Sequence, residues 1–175
     1  MERGMLHIYE GDGKGKTTAA VGLSVRAAGA GKKVLFTQFL KDGTSHEIDV
    51  LRKIEGIEVF SCETNPGFVF RMNNEERKSA QSMYEQYFAD IKEKVGQMSS
   101  DLLILDEVLD ACATGMIQEK ELEEFLNTRN KRLEVVLTGH QCSTQFAQLA
   151  DYYSKITKIH HPYDRGIAAR DGIEK

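Results

Sequence analysis

The stretch that most restricts the fold is YEGDGKGKTT, residues 9–18. It follows the short apolar run MLHIY (5–9) and opens a segment containing AAVGLSVRAA, whose apolar residues recur at helical spacing. A glycine-lysine loop between a strand and a helix N-terminus is a phosphate-binding arrangement. Its glycines let the backbone approach phosphate oxygens, and the helix end adds roughly half a positive charge. Lys16 is placed to neutralise phosphate and Thr17 to offer a hydroxyl to Mg²⁺. The loop departs from the common spacing, because counting back from Gly15-Lys16-Thr17 puts Glu10 where a first glycine usually stands.

A second feature pairs with the first. DLLILDEV (101–108) is an apolar strand ending in Asp106-Glu107, the place where a phosphate-loop protein keeps carboxylates that hold Mg²⁺ directly or through water. Together the two motifs imply Mg-ATP or Mg-GTP. Asn130-Lys131-Arg132-Leu133 lacks the final aspartate of a guanine-reading motif, which favours ATP. The motifs alone do not choose between an ATPase, with Glu107 positioning water, and a kinase with an acceptor pocket.

Further apolar runs at 33–40, 57–62 and 133–139, with a weaker one at 154–160, alternate with amphipathic segments at 16–30, 74–97, 119–129 and 143–151. In the second of these segments Met83, Tyr87, Ile91 and Val95 share a stripe. The pattern predicts a single domain over 1–175. Its fold class is α/β, P-loop NTPase-like (RecA-like), a three-layer α/β/α arrangement around a mainly parallel sheet of about six strands. Residues 41–55 begin with a turn cluster and then carry Ile48, Val50, Leu51 and Ile54, which suit a short helix.

The totals narrow the partners. Net charge is −4 with lysine and arginine scattered along the chain, which argues against nucleic acid as the main partner. Cys62, Cys112 and Cys142 form no Cys-x-x-Cys pair and are expected reduced and buried. No apolar run approaches the ~18 residues of a membrane helix, and MERGMLHIYEG lacks the apolar core of a signal peptide, so the cytoplasm is the expected compartment and no membrane partner is expected.

YEGDGKGKTTAAVGLSVRAAG, FTQFLK, LLILDEV, VVLTGH and HHPYDRGIAARDGIEK, in this order and spacing, resemble the P-loop type of ATP:corrinoid adenosyltransferases over essentially the whole chain. That family shares the short loop without its first glycine. The resemblance implies ATP bound in a reversed sense, with the loop gripping the triphosphate and the adenosine end presented to a reduced corrinoid. It implies Gly11, Asp12, Gly13, Lys14, Gly15, Lys16, Thr17 and Thr18 as the triphosphate site, Lys16 as catalytic, and Mg²⁺ held by Thr17 and Glu107 with Asp106 behind them. It also implies that Phe68 and Phe70, in NPGFVFRMN, crowd the lower face of the corrin and keep its axial base away. A homodimer and a flavodoxin-like reductant are further family-level expectations, and the corrinoid is cobalamin or a precursor such as the a,c-diamide.

The chain departs from that family at several points. Phe70 stands where some members carry tryptophan, and His140 follows VVLTG where arginine is common. Glu10 replaces a residue that is often threonine, and a carboxylate beside triphosphate is unfavourable unless it points away. His160 and His161 invite a metal reading, but two polar residues before a proline are ordinary at a strand end. A conventional P-loop ATPase or kinase, and a non-enzymatic nucleotide- or corrinoid-binding protein, stand as alternatives.

Overall fold

The computed structural model describes residues 3–41, 45–62 and 72–174. Six strands, β1 (Leu6–Glu10), β2 (Val34–Gln38), β3 (Ile57–Ser61), β4 (Leu102–Asp106), β5 (Glu134–Gly139) and β6 (Tyr152–Lys155), form one sheet in the order β3-β2-β4-β5-β1-β6. Every pairing is parallel. Parallel strands need crossovers, and those crossovers cover both faces.

Alternation along the strands sorts the core. Val34, Phe36, Leu102, Ile104 and Val136 face one side, under α1 (Lys16–Gly29) and α2 (His46–Leu51). Leu35, Leu103, Leu105, Val135 and Leu137 face the other. They lie under α3 (Asn74–Met98), α4 (Val108–Ala113), α5 (Glu119–Thr128) and α6 (Thr144–Leu149). The result is the expected three-layer α/β/α fold of a P-loop NTPase. Helix α1 buries Ala20, Ser24 and Ala27, small residues at spacings of four and three that seat it closely on the sheet. Helix α3 starts from a capping box, Asn73 with Glu76, and ends at Ser99 in the left-handed conformation. Its buried stripe is Ala80, Tyr84, Tyr87, Phe88 and Ile91, so Met83 and Val95 flank the seam rather than centre it.

Two element assignments shift. The apolar run 101–108 is a strand only to Asp106. Glu107 turns left-handed (φ 60°) and Val108 begins α4, whose buried Val108, Leu109, Ala111 and Cys112 read in sequence as more strand. The last strand is Tyr152–Lys155 rather than 154–160. It is an exposed edge strand, held in register by backbone pairing to His7–Glu10, so hydrophobicity does not mark its place. The short helix expected within 41–55 is α2.

Cys62 and Cys112 are buried as expected, and Cys142 is half-buried. Burial pushes the Cys112 thiol up to about 12 and that of Cys142 to about 11, which leaves both thiols protonated and unreactive at neutral pH. No helix among the described residues is long and apolar enough to cross a membrane.

Candidate active site

In a parallel sheet all strands end on one side, and the loops that leave those ends form the crevice. Gly11 follows β1, Leu40 and Lys41 follow β2, Glu107 follows β4, His140 follows β5 and Ile156 follows β6. A cavity of about 850 Å³ opens there, lined by Asp12–Thr18, Lys41, Glu107 and His140 and walled by parts of 45–50 and 161–174.

The loop itself is a compact turn. Gly11 and Gly15 adopt φ of 124°, a conformation that disfavours a side chain. Lys16 folds back, its Nζ donating to the carbonyls of Gly11 (2.6 Å) and Gly13 (2.9 Å). The amides of Gly11 and Gly13 do not face the cavity as expected of a phosphate cradle. They donate to Gly139 O (3.1 Å) and Ile156 O (2.9 Å). A Cβ on Gly11 would meet Ile156 O at 2.2 Å and one on Gly13 would meet it at 2.8 Å. These two glycines therefore let the chain after β6 cross the loop. Asp12 continues the clasp, its carboxylate accepting the Lys158 amide (2.9 Å). That bond, ahead of a smaller opposing effect of desolvation, holds Asp12 below the usual carboxylate range.

Glu10 points away from the loop. Its carboxylate is buried, accepts the Cys142 amide (2.8 Å) and pairs with Lys155 (3.3 Å). Burial alone would raise its pKa, but the Tyr153 hydroxyl, the Cys142 amide and Lys155 together bring it below the ordinary value. The missing first glycine is thus a residue that ties β1 to β5 and β6 from beneath.

At the end of β4, Asp106 is fully buried and accepts four side chains: Thr17 (3.0 and 3.2 Å), Thr138 (2.7 Å), Gln38 (3.2 Å) and Lys41 (3.1 Å). The Thr17 hydroxyl spends its hydrogen on Asp106 and keeps its lone pairs for a ligand. The Thr138 hydroxyl also accepts the Glu107 amide (2.8 Å), fixing the left-handed turn. Glu107 lies 3.2 Å from the Lys41 ammonium, with part of its carboxylate exposed to the cavity. Desolvation raises its pKa, Lys41 opposes and Asp106 adds to the rise, for a net upward shift. Lys41 is itself raised: burial would lower it, but Asp106 and Glu107 outweigh that.

No group of three or more His, Cys, Asp or Glu able to hold a metal occurs among the described residues. The Thr17 hydroxyl and Glu107 instead suit Mg²⁺, which keeps waters and completes its shell with phosphate oxygens. His161 is a local cap, its Nδ1 accepting the Tyr163 amide (3.1 Å) at the 3₁₀ turn Pro162–Arg165. His140 is exposed and meets Asp110 through both its backbone amide and its ring (3.0 Å).

This constellation is one of several that phosphate-loop folds carry, and comparison with known proteins decides among them. Residues 2–174 match the family described as ATP:corrinoid adenosyltransferase BtuR/CobO/CobP. The chain belongs to this enzyme family. It is 33% identical over 173 residues to the corrinoid adenosyltransferase of Escherichia coli K12, covering 99% of this chain and 86% of that one. The corrinoid adenosyltransferase CobA of Salmonella typhimurium is 32% identical with the same coverage. Among solved structures, the cytoplasmic domain of EssC superposes with a TM-score of 0.56 at 15% identity, over 95% of this chain and 34% of that one. ATPases 2 and 3 of Thermomonospora curvata EccC give 0.53 at 15%, over 91% and 32%. These last likenesses concern the fold alone.

Within this family member, the fold brings Lys16, Thr17, Asp106 and Glu107 together as the sequence predicts. Phe68 and Phe70 lie outside the described residues. Sequence reasoning gave Lys41 no role and missed Gln38 and Thr138. Gln38 and Thr138 left a signal, since each is a polar residue at the carboxyl end of an otherwise apolar strand.

Proposed function

We propose that the protein transfers the 5′-deoxyadenosyl group of Mg-ATP to the reduced cobalt of a corrinoid and releases inorganic triphosphate. The observation that carries this reading is the Thr17–Asp106–Glu107 corner beside the phosphate loop, in a chain that matches the family over nearly its whole length. In the reaction the cobalt electron pair forms a bond to C5′ while the C5′–O bond breaks and its pair leaves with triphosphate. The protein's work is then to hold the leaving group and stabilise the charge growing on it.

Lys16 would leave the Gly11 and Gly13 carbonyls to donate to phosphate. Amides from Lys14 to Thr18 remain for the triphosphate, while Gly11, Asp12 and Gly13 shape the loop and bind the tail. Thr17 and Glu107 would hold Mg²⁺, and Asp106 orients Thr17. The metal supplies charge neutralisation at the triphosphate oxygens. Phe68 and Phe70 are assigned to the lower corrin face on resemblance, and the homodimer and the flavodoxin-like reductant are assigned on the same ground.

The test is anaerobic mixing of the protein, Mg-ATP and chemically reduced cobalamin, with the corrin spectrum and phosphate products followed together. A light-sensitive adenosylcorrinoid with stoichiometric triphosphate is expected. ADP without a corrin spectral change would make the site a conventional phosphotransferase or ATPase.

A further inference from the structure

The ammonium of Lys41 lies between Asp106 and Glu107, the carboxylates of the proposed metal corner. It lies 3.1 Å from Asp106 Oδ2 and 3.2 Å from Glu107 Oε1, with only 24% of its side chain exposed. The backbone is bent to achieve this. Leu40, φ 56°, and Glu107, φ 60°, are two of only three non-glycine residues with positive φ among the described residues, and the third, Ser99, ends a helix. Such conformations are unfavourable for a side chain and persist where the surroundings fix them. Here the Thr138 hydroxyl takes the Glu107 amide. Gln38 donates to Asp106 from beneath, and its buried Oε1 has no hydrogen-bond partner among the described residues.

We infer that Lys41 is a resident counter-cation of the metal site: it neutralises Asp106 and Glu107 in the free protein, is displaced by the arriving divalent cation, and then turns onto the triphosphate. Two cations cannot share one carboxylate pair without strong repulsion, so metal entry requires the ammonium to leave. Its exit leads into the same cavity, because Lys41 lines it together with Lys16 and Thr17. There, a flexible four-carbon stem carries a point charge suited to phosphate. The free site is thereby kept from binding metal tightly until a triphosphate arrives to take up the released lysine. Gln38 Oε1 offers a buried acceptor to a metal-bound water once the ammonium has moved.

The inference rests on reading the site as one for Mg-triphosphate, and its test needs neither corrinoid nor turnover. Mn²⁺ binding to nucleotide-free protein, followed by electron paramagnetic resonance, should become at least about tenfold tighter in Lys41→Met. Binding of inorganic triphosphate with Mg²⁺, measured by calorimetry, should become at least about tenfold weaker. A merely structural lysine would weaken both. Unchanged or weaker Mn²⁺ binding overturns the counter-cation role, and unchanged triphosphate binding overturns the delivery.

A wild-type measurement covers failure of the variant to fold. Mg²⁺ at a concentration that saturates the nucleotide-free protein should raise the rate at which an amine-reactive acetylating reagent labels Lys41, read by mass spectrometry, and a rate that stays level or falls rejects displacement. Wild-type protein that performs adenosyl transfer while failing these tests would reject the inference alone. Wild-type protein that binds no Mg-triphosphate would reject the site reading beneath it.

Discussion

On one side of the cavity Asp106 is fully buried and takes hydrogen bonds from four side chains, whereas on the other the segment 156–174 leans on the phosphate loop through groups that solvent reaches. The tail's ion pairs include Lys14–Glu174 at 3.6 Å, Lys158–Asp164 at 3.0 Å and Arg170–Glu174 at 2.7 Å. Exposed pairs of this kind are individually weak, while removing one partner from a buried charge network is costly. One wall is set before any ligand arrives, and the other is held by contacts that a large substrate can rearrange at small cost.

Lys16 touches both worlds, because it donates to the carbonyls of the two glycines over which the tail crosses. Lys16→Ala should lower the rate of triphosphate release by roughly 10²–10³-fold, the scale for losing one donor to developing charge. Adenosyl transfer in single turnover with pre-reduced cobalamin checks it. A loss below about tenfold would shift the burden of stabilisation to Lys41 or the loop amides.

Asp106→Asn probes the buried wall itself. It removes the charge that holds Lys41 and turns an all-acceptor group into one whose amide N–H faces existing donors at either position, the Thr17 and Thr138 hydroxyls at Oδ1 or Gln38 and Lys41 at Oδ2. A stability loss of about 3 kcal/mol is expected in urea denaturation. A loss as small as that of an exposed pair would erase the contrast between the walls.

Gly13→Ala acts at the seam. The added methyl would lie 2.8 Å from Ile156 O and 2.9 Å from Ile156 Cγ2, so the tail must move or the loop must. A cost of about 1–3 kcal/mol is expected, the usual range for overpacking. Hydrogen exchange should show where it falls: the Gly13 amide, bonded to Ile156, should lose protection while amides of β4 keep theirs.

The same contrast explains what could be read from sequence. The buried wall comes from strands whose apolar runs end in polar residues, so its loop, Asp106 and Glu107 were legible as motifs. The helix α4 was not, because a buried helix turn and a strand end share the same apolar letters. The tail wall carried a resemblance in HHPYDRGIAARDGIEK, but its placement was illegible for the opposite reason. Tyr152–Lys155 and the turns after it are placed by backbone register and surface pairs, which leave no periodicity. Glu10 looked like a defect of the phosphate loop because its partners, the Cys142 amide and Lys155, are more than 130 residues away.

The smallest expected effect tests the tail wall alone. Arg170 grips Glu174 through its guanidinium and its backbone amide, and these bonds, ahead of a weak opposing desolvation and the charges of Arg170 and Lys14, hold the Glu174 carboxyl down at about 2 against an ordinary 4.5. A depressed carboxylate stabilises the folded form fully above its ordinary value, and that contribution fades as pH falls through about 2. The Arg170 amide, which donates to Glu174 (2.9 Å), should therefore keep its exchange protection at pH 4 and lose it near pH 2. Glu174→Gln should remove that protection at neutral pH while leaving the thermal midpoint and the protection of β4 unmoved. A drop in the midpoint would mean that the tail is part of the cooperative core, and the two walls would then have to be treated as one.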